Sequence, residues 1–291
     1  MSNAHASRTD QPGSTAREGL GEAARHQLLA IDTVTSAIQA QHLQTYLGGA
    51  QWVDPSEDAN RAATRLAADN FDQAPAGAPG HLLGYVLTAD LRDASGGSAA
   101  RAALRPLDAE HLLSAGASVL LVLEALHARG PIAFVVDGRD VTGFVTSSDL
   151  NKHPARVHFY LLLTSFEISL AAWVRREYPD PHSTLGLLEH GGRKALHRFR
   201  RDQRNNVVVD LVAGMDLGDL LAIVGSRDDG RYEYATSLFE SWEAWTAKLT
   251  SLRNAVMHPV LSFLGPSRTV SELISLERGL REVLERQGAR V

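Results

Sequence analysis

The chain contains no cysteine. That removes disulfides, thiolate metal sites and cysteine nucleophiles, and it fits a cytoplasmic, reducing setting. Overall basicity is lacking as well. With 29 Lys and Arg against 34 Asp and Glu the net charge is −5, so any nucleic-acid contact has to be local. No apolar run approaches the ~18 residues of a membrane span, and no membrane partner is expected. The sequence has no His-Glu-x-x-His, no Gly-x-Ser-x-Gly and no Gly-x4-Gly-Lys-Ser/Thr, and its histidines show no ligand spacing. No metal site and no required cofactor are assigned. What is present is 44% apolar residues in 291, enough for about two domains at roughly 100–200 residues each.

Residues 1–22, rich in Ser, Gly, Ala and mixed charge, read as a disordered tail without the apolar block of a signal peptide. Ala23 to Leu47 carries apolar residues at helical spacing up to Gly48-Gly49 and reads as a helix. Asp54-Pro55-Ser56-Glu57 reads as a capped helix start, the helix running to about Asn70. A Pro/Gly/Ala loop, Ala74 to Gly80, follows. The string from Gly84 to Leu91 then recurs 59 residues later, with Gly84 on Gly143, Tyr85 on Phe144, Val86 on Val145, Asp90 on Asp149 and Leu91 on Leu150. Ahead of the second copy stand a helix (Ser118 to Ala128), a strand (Ile132 to Val136) and an Asp137-Gly138 hairpin turn.

This repeated helix–strand–turn–strand–helix unit resembles a pair of CBS repeats. The resemblance implies a cleft for an adenosine-containing nucleotide. The family's pattern of Gly, a hydroxyl residue and Asp falls on Gly143, Thr146 and Asp149; the carboxylate would accept ribose hydroxyls and the hydroxyl would bind ribose or phosphate. In the first repeat Gly84 and Asp90 match, but Leu87 replaces the hydroxyl, which makes that site the weaker one. Helix capping is the alternative role for Thr146 and Asp149.

Pro154 suits the first turn of a helix over about 155–177 with a dense apolar stripe, Phe159, Leu162, Leu163, Phe166, Leu170, Trp173 and Val174. Glu167 lies at the stripe's edge, where a carboxylate either reaches water or needs a partner. Between Gly191 and Asn206 seven basic residues, including Arg193, Arg198, Arg200 and Arg201, stand against one acid. They read as a grip on an RNA backbone or as a solvated helix face. A helix is expected over Val207–Val224 and a polar turn over Ser226–Gly230. The last helix opens at Thr269, with Glu272 completing a capping box.

The most informative stretch is Ser251 to Val260, at the end of an amphipathic helix that starts near Tyr234. Pro259 places His258 in its last turn or at a kink. Asn254 and His258, four apart, share a face. Arg253 and His258, five apart, are about 140° apart on an ideal helix, so a second copy of the chain would tighten the site. An Arg and a His without metal ligands suit RNA cleavage: His moves a proton at the 2′-OH or the leaving oxygen, and Arg neutralises the phosphorane. The string Leu-Arg-Asn-Ala-Val-Met-His-Pro resembles the motif of the HEPN family, and Met215-Asp216-Leu217-Gly218-Asp219-Leu220 is similar to a segment of its preceding helix. The resemblance implies a dimeric, metal-independent RNase with Arg253, Asn254 and His258 at its site and Glu167 beside Arg253.

The fold expected is therefore α+β: an N-terminal α/β CBS repeat pair with its leading helix (23–153), followed by an all-α HEPN-like helical bundle (154–291), forming a homodimer. The function expected is a ligand-regulated RNase in stress response or defence. The rival is a non-catalytic adenine-nucleotide sensor whose helical domain dimerises or docks a partner.

Overall fold

The computed structural model describes residues 35–94, 97–188, 191–205, 210–265 and 268–289. The expected tail, 1–22, and the first half of the helix expected from Ala23 lie outside the described residues. The chain divides into two compact units. An α/β unit comprises 35–159 and 255–275. A helical unit comprises, among the described residues, 160–254 and 276–289. Residues 255–275 thus group with the repeats, which a single cut after residue 153 does not provide.

The α/β unit contains α1 (Ala40–Leu43), β1 (Thr45–Tyr46), α2 (Ala59–Ala68), β2 (Gln73–Ala78), β3 (His81–Leu87), α3 (Thr88–Asp93), β4 (Arg105–Pro106), β5 (Leu112–Ser114), α4 (Val119–Ala128), β6 (Ile132–Asp137) and β7 (Asp140–Thr146). They form two sheets, ordered β1-β7-β6-β5 and β2-β3-β4. Each repeat supplies a helix on a β-hairpin, and the internal symmetry extends further than the sequence strings. β5 runs parallel to β6, and Val53 bridges Ala76 in the same sense. Gln39 bridges Ser118, the N-cap of α4; Ala99 bridges Asp58, the N-cap of α2. β1 pairs with β7 at Tyr46 and Gly143, and β4 pairs with β3 at Pro106 and Gly84. The arm ahead of each repeat is therefore donated to the other repeat.

That exchange explains the repeated glycine. A Cβ on Gly143 would collide with the Gln44 side chain and the Thr45 carbonyl, and one on Gly84 with the Arg105 carbonyl. The crossing arm needs a bare backbone beneath it. One apolar cluster of this unit gathers Ala62 and Leu66 of α2 with Ala76, Val86 and Leu91; another gathers Tyr85, Ile132, Phe134 and Phe144.

Several elements differ from expectation. Residues 35–47 are not one helix: after the single turn α1 the chain extends as β1, because the edge of β7 satisfies its backbone. Asp54 does not cap α2. It folds into a turn, accepting from the Ser56 N–H at 2.8 Å, and Asp58 is the cap. The supposed Pro/Gly/Ala loop is β2, where Pro75 sits opposite Tyr85. A proline is tolerated at a strand's edge. Thr146 opens a 3-10 turn, Ser147–Asn151, rather than an α-helix.

The remaining helices are α5 (His153–Glu177), α6 (Gly191–Arg204), α7 (Leu217–Gly225), α8 (Asp228–Tyr234), α9 (Trp242–Met257) and α10 (Val270–Ala289). Residues 206–209, the start of the helix expected over Val207–Val224, lie outside the described residues; the described part is a 3-10 turn at Leu211–Gly214 followed by α7. The polar turn expected at Ser226–Gly230 leads instead into α8, and Tyr234 closes α8 rather than opening the motif helix. In the helical unit Phe166 meets Tyr234 and Trp245 edge-on, with ring centroids 5.8 and 6.2 Å apart. The polar tips of this cluster are also paired: Tyr234 Oη donates to the Ser169 carbonyl at 2.7 Å and Trp245 Nε1 to the Tyr234 carbonyl at 3.1 Å. Contrary to expectation, α5 is long and apolar enough to cross a membrane by length and composition, with mean hydropathy 1.4 over 18 residues. Half of that window is buried inside the protein, as in the core helix of a folded domain.

Gly143→Ala is expected to destabilise the protein by about 1–3 kcal/mol, the range of overpacking. Thermal unfolding checks this. An unchanged melting temperature would mean that the arm does not hold β1 against Gly143.

Candidate functional site

The second repeat builds a cleft around one carboxylate. β7 ends at Thr146, whose extended backbone turns the chain into the 3-10 segment. Asp149 Oδ2 accepts from the Thr146 N–H at 2.7 Å and from Thr146 Oγ1 at 2.9 Å. Its Oδ1 accepts from Thr45 Oγ1 at 3.0 Å and lies 2.6 Å from Lys152 Nζ. Lys152 Nζ also donates to the Leu43 and Gln44 carbonyls, at 2.7 and 3.0 Å. Four donors on two oxygens occupy about the full capacity of a carboxylate. Capping and cleft lining are thus held by the same two residues, Thr146 and Asp149. The cleft, about 230 Å³, is bounded by Thr45, Gln51, Phe71, Asp72, Gln73, Phe144, Thr146, Ser148 and Asp149 among others. Gly143 does not line it; its place is under the β1 arm.

In the first repeat the equivalent carboxylate is engaged by a cation. Asp90 Oδ2 accepts from Arg105 Nε at 2.7 Å. Arg105 stands in β4 where Thr45 stands in β1, so this repeat places a guanidinium where the other has a hydroxyl. Leu87 offers no side-chain cap, and the Thr88 hydroxyl donates to the Phe71 carbonyl at 2.6 Å. The open cleft beside Asp90 and Arg105 measures about 420 Å³.

In the helical unit Glu167 of α5 and Arg253 of α9 approach to 4.0 Å, both side chains about one-third exposed at 33% and 35%. Burial raises the Glu167 carboxyl above its ordinary range. The Arg253 guanidinium pulls it back, and the Asp216 carboxylate pushes it further up. Asp216 caps α7 in a reciprocal box with Asp219. Arg198 closes this polar group, donating to the Gly214 carbonyl at 2.7 Å and to Asp219 at 3.0 Å.

Asn254 is exposed on α9. His258 is exposed too, but α9 ends at Met257, so His258 is not in a last helical turn. The chain turns over 258–261, with the Leu261 N–H on the His258 carbonyl at 2.9 Å. The Pro259 ring disfavours a helical residue before it. Arg253 belongs to the helical unit and His258 to the α/β unit.

Of the four arginines expected to grip RNA, Arg193 and Arg200 are exposed on α6. Arg201 is exposed but paired with Asp202 at 2.6 Å. Arg198 turns its guanidinium to the Gly214 carbonyl and to Asp219, because α7's first turn gathers carboxylates that need a counterion. Among the described residues no group of three or more His, Asp or Glu is placed to hold a metal ion.

Solved structures similar to this chain include CBS domains. One is a hemolysin-like protein containing a CBS domain from Oenococcus oeni PSU, 21% identical, with 38% of this chain and 86% of that one covered at a TM-score of 0.34. Another is the CBS domain of a bacterial CNNM/CorC family Mg2+ transporter in complex with ATP, 17% identical, covering 44% and 92% at 0.35. A third is CBSX2 in complex with AMP, 15% identical, covering 42% and 97% at 0.35. No family model matches the chain, and no curated protein matches it.

Sequence reasoning missed Lys152 and Arg105. Lys152 stands three residues after Asp149, a spacing that signals an ion pair in a tight turn. Arg105 carries no local signal, because its role appears only once the arms cross. Gln73 opens β2, a strand read as loop from Ala74 on, and Phe71 and Asp72 lead into it; all three were missed.

The raised Glu167 carboxyl gives a pH test. Its folded form binds a proton more tightly than its unfolded form, so folding loses stability as pH rises through the raised value. Glu167→Gln is expected to raise the melting temperature at about pH 7. The gain should vanish as pH falls to about 4, near the ordinary carboxylate range. A variant less stable than wild type at neutral pH would show that the Arg253 attraction outweighs burial.

Proposed function

We propose that this chain is an adenine-nucleotide-responsive regulator. Its ligand occupies the cleft at Thr146 and Asp149, and its helical unit is the output. The observation that carries the reading is the cleft itself, with a buried carboxylate beside a hydroxyl and Phe71 and Phe144 available to a base. Ribose hydroxyls reaching Asp149 would compete with Thr45 and Lys152 for the same lone pairs. Ligand occupancy is then coupled to how tightly the β1 arm is held. Arg105 on Asp90 supports the first repeat as the weaker site.

Calorimetry with AMP, ADP and ATP tests this. Asp149→Ala is expected to weaken binding at least about tenfold, the scale of one charge-assisted hydrogen bond. Because Asp149 also holds the arm, Ala50→Trp serves as a second variant, since Ala50 also lines the cleft and makes none of the Asp149 contacts. Nucleotide binding that both variants leave intact would overturn the assignment.

A second reading is favoured by the Glu167–Arg253 approach. In it the output is metal-independent RNA cleavage by Arg253, Asn254 and His258, with Glu167 positioning Arg253, Arg193 and Arg200 gripping RNA, and a homodimer bringing two copies together. Arg253→Ala and His258→Ala are each expected to reduce cleavage about 10²-fold. The products should carry 2′,3′-cyclic phosphate ends, and EDTA should leave the rate unchanged. Cleavage that persists in both variants, or none by wild type with or without nucleotide, would leave the sensor reading alone.

A further inference from the structure

The arm that crosses the first repeat carries more than Arg105. After β4 it makes a 3-10 turn, Ala109–His111, before entering β5. Asp108 caps that turn: its Oδ1 accepts from the Glu110 and His111 N–H groups at 3.0 and 3.3 Å. The same oxygen lies 2.7 Å from His111 Nδ1, and His111 Nε2 lies 3.1 Å from Tyr85 Oη. Tyr85 belongs to β3 and is 3% exposed, so this contact ties the arm to the core beneath it. The second repeat has no counterpart, because Phe144 stands where Tyr85 stands and offers no hydroxyl.

The order of protons in this row follows from its ends. An ionised carboxylate only accepts, so Nδ1 carries the proton of a neutral His111 and Nε2 is left with a lone pair. Tyr85 Oη then donates to Nε2. It also lies against Arg105, whose guanidinium holds its proton above the ordinary range, chiefly through Asp90 and against burial, with a smaller contribution from Tyr85. The hydroxyl thus has an acceptor on one side and a donor on the other. Four further charged groups surround His111. Burial pushes the Asp108 carboxyl up, but His111 and the two N–H groups bring it below the ordinary carboxylate range. Asp90 stands beyond Arg105. Glu110 is exposed on the turn, and its carbonyl accepts from Arg129 Nη1 at 2.6 Å. β6, which pairs with β5 just past the turn, brings only apolar residues over 132–136.

We propose that His111 is a proton switch that fastens the arm, residues 105–111, to the first repeat when neutral and loosens it when charged. A second proton on His111 takes up the Nε2 lone pair, which can then no longer accept from Tyr85. The Tyr85 hydroxyl would face two donors, an imidazolium and a guanidinium, and its own proton would lose its acceptor. A buried donor without a partner is unfavourable. Two cations would also stand on either side of one buried oxygen. Asp108 attracts the imidazolium, but it is 59% exposed and travels with His111 on the same turn, so that attraction does not hold the arm to the repeat. The device needs no nucleotide and does not rest on the ligand assigned to Asp149. It acts on the arm that carries Arg105, and so on the ion pair with Asp90.

The test is hydrogen exchange of the full chain at pH 5.5 and 7.5, values that bracket the charge change of histidine side chains. Rates are read by mass spectrometry and corrected for the intrinsic effect of pH. The segment 104–112 is expected to exchange about fivefold faster at pH 5.5, relative to the β6–β7 hairpin, the scale of one net hydrogen bond. His111→Gln, whose amide takes up no proton in this range, should remove that response. Tyr85→Phe should remove it too, and it introduces the residue that the second repeat already carries, which guards against misfolding of the histidine variant. A wild-type arm whose corrected exchange is the same at both pH values would overturn the switch. A pH response that survives in either variant would overturn it as well.

Discussion

The α/β unit turns on the carboxylate of Asp149. One oxygen closes the end of β7 by holding the Thr146 amide and hydroxyl; the other holds Thr45 and Lys152, and Lys152 in turn holds the carbonyls of Leu43 and Gln44. The arm that precedes the first repeat is thereby fixed to the second. A buried carboxylate is unfavourable without such partners. Because its lone pairs are filled from within the chain, any ligand that needs them competes with the protein's own structure. Binding and arm release then become two sides of one equilibrium.

The two repeats solve the same crossing differently. In each, an arm passes over a glycine and its residue before or at the strand meets the repeat's aspartate. Thr45 brings a small neutral hydroxyl and leaves a cleft with room beside it. Arg105 brings a guanidinium that forms a short ion pair with Asp90 and carries its own charge compensation. Asp90 is met by the cation of its crossing arm, whereas Asp149 is met by its arm's hydroxyl and, from its own turn, by Lys152. The two repeats thus differ in their arms as well as at Leu87.

Much of this was legible in the sequence because it is local. The Asp137-Gly138 hairpin turn, the helix near Ser118 to Ala128 and the apolar stripe of α5 follow from spacing and from turn chemistry. The recurring Gly and Asp pointed to the repeat, although the reason for the glycine was not readable: it answers a partner strand that comes from elsewhere in the chain. β2 was hidden by its Ala, Pro and Gly content, since a strand paired along an edge tolerates residues that the interior of a sheet rejects. The partners of Arg198 were hidden for a related reason. Its neighbours in sequence are basic and exposed, while its partners, Asp219 and the Gly214 carbonyl, arrive from another helix. Glu167 was singled out because a carboxylate at the edge of an apolar stripe either reaches water or needs a partner; it is one-third exposed and lies 4.0 Å from Arg253.

The stretch just after Asp149 also bears on the turn that contains His258. Asn151 accepts from the Phe263 and Leu264 amides, and Arg156 donates to the carbonyls of Asn151, Ala255 and Leu261. Cap, arm lock and turn anchors thus fall within the eight residues from Asp149 to Arg156. Loops are held in place by such contacts, and a loop held from one short segment moves when that segment does. A ligand that displaces Thr45 or Lys152 from Asp149 would change the constraint on Asn151 two residues on, without any strain having to travel along a helix. The size of the response is bounded by the ligand's differential affinity for the locked and released arrangements, typically about 1–3 kcal/mol in coupled sites. A shift of that order suffices to change the population of a turn, and it is too small to unfold a sheet.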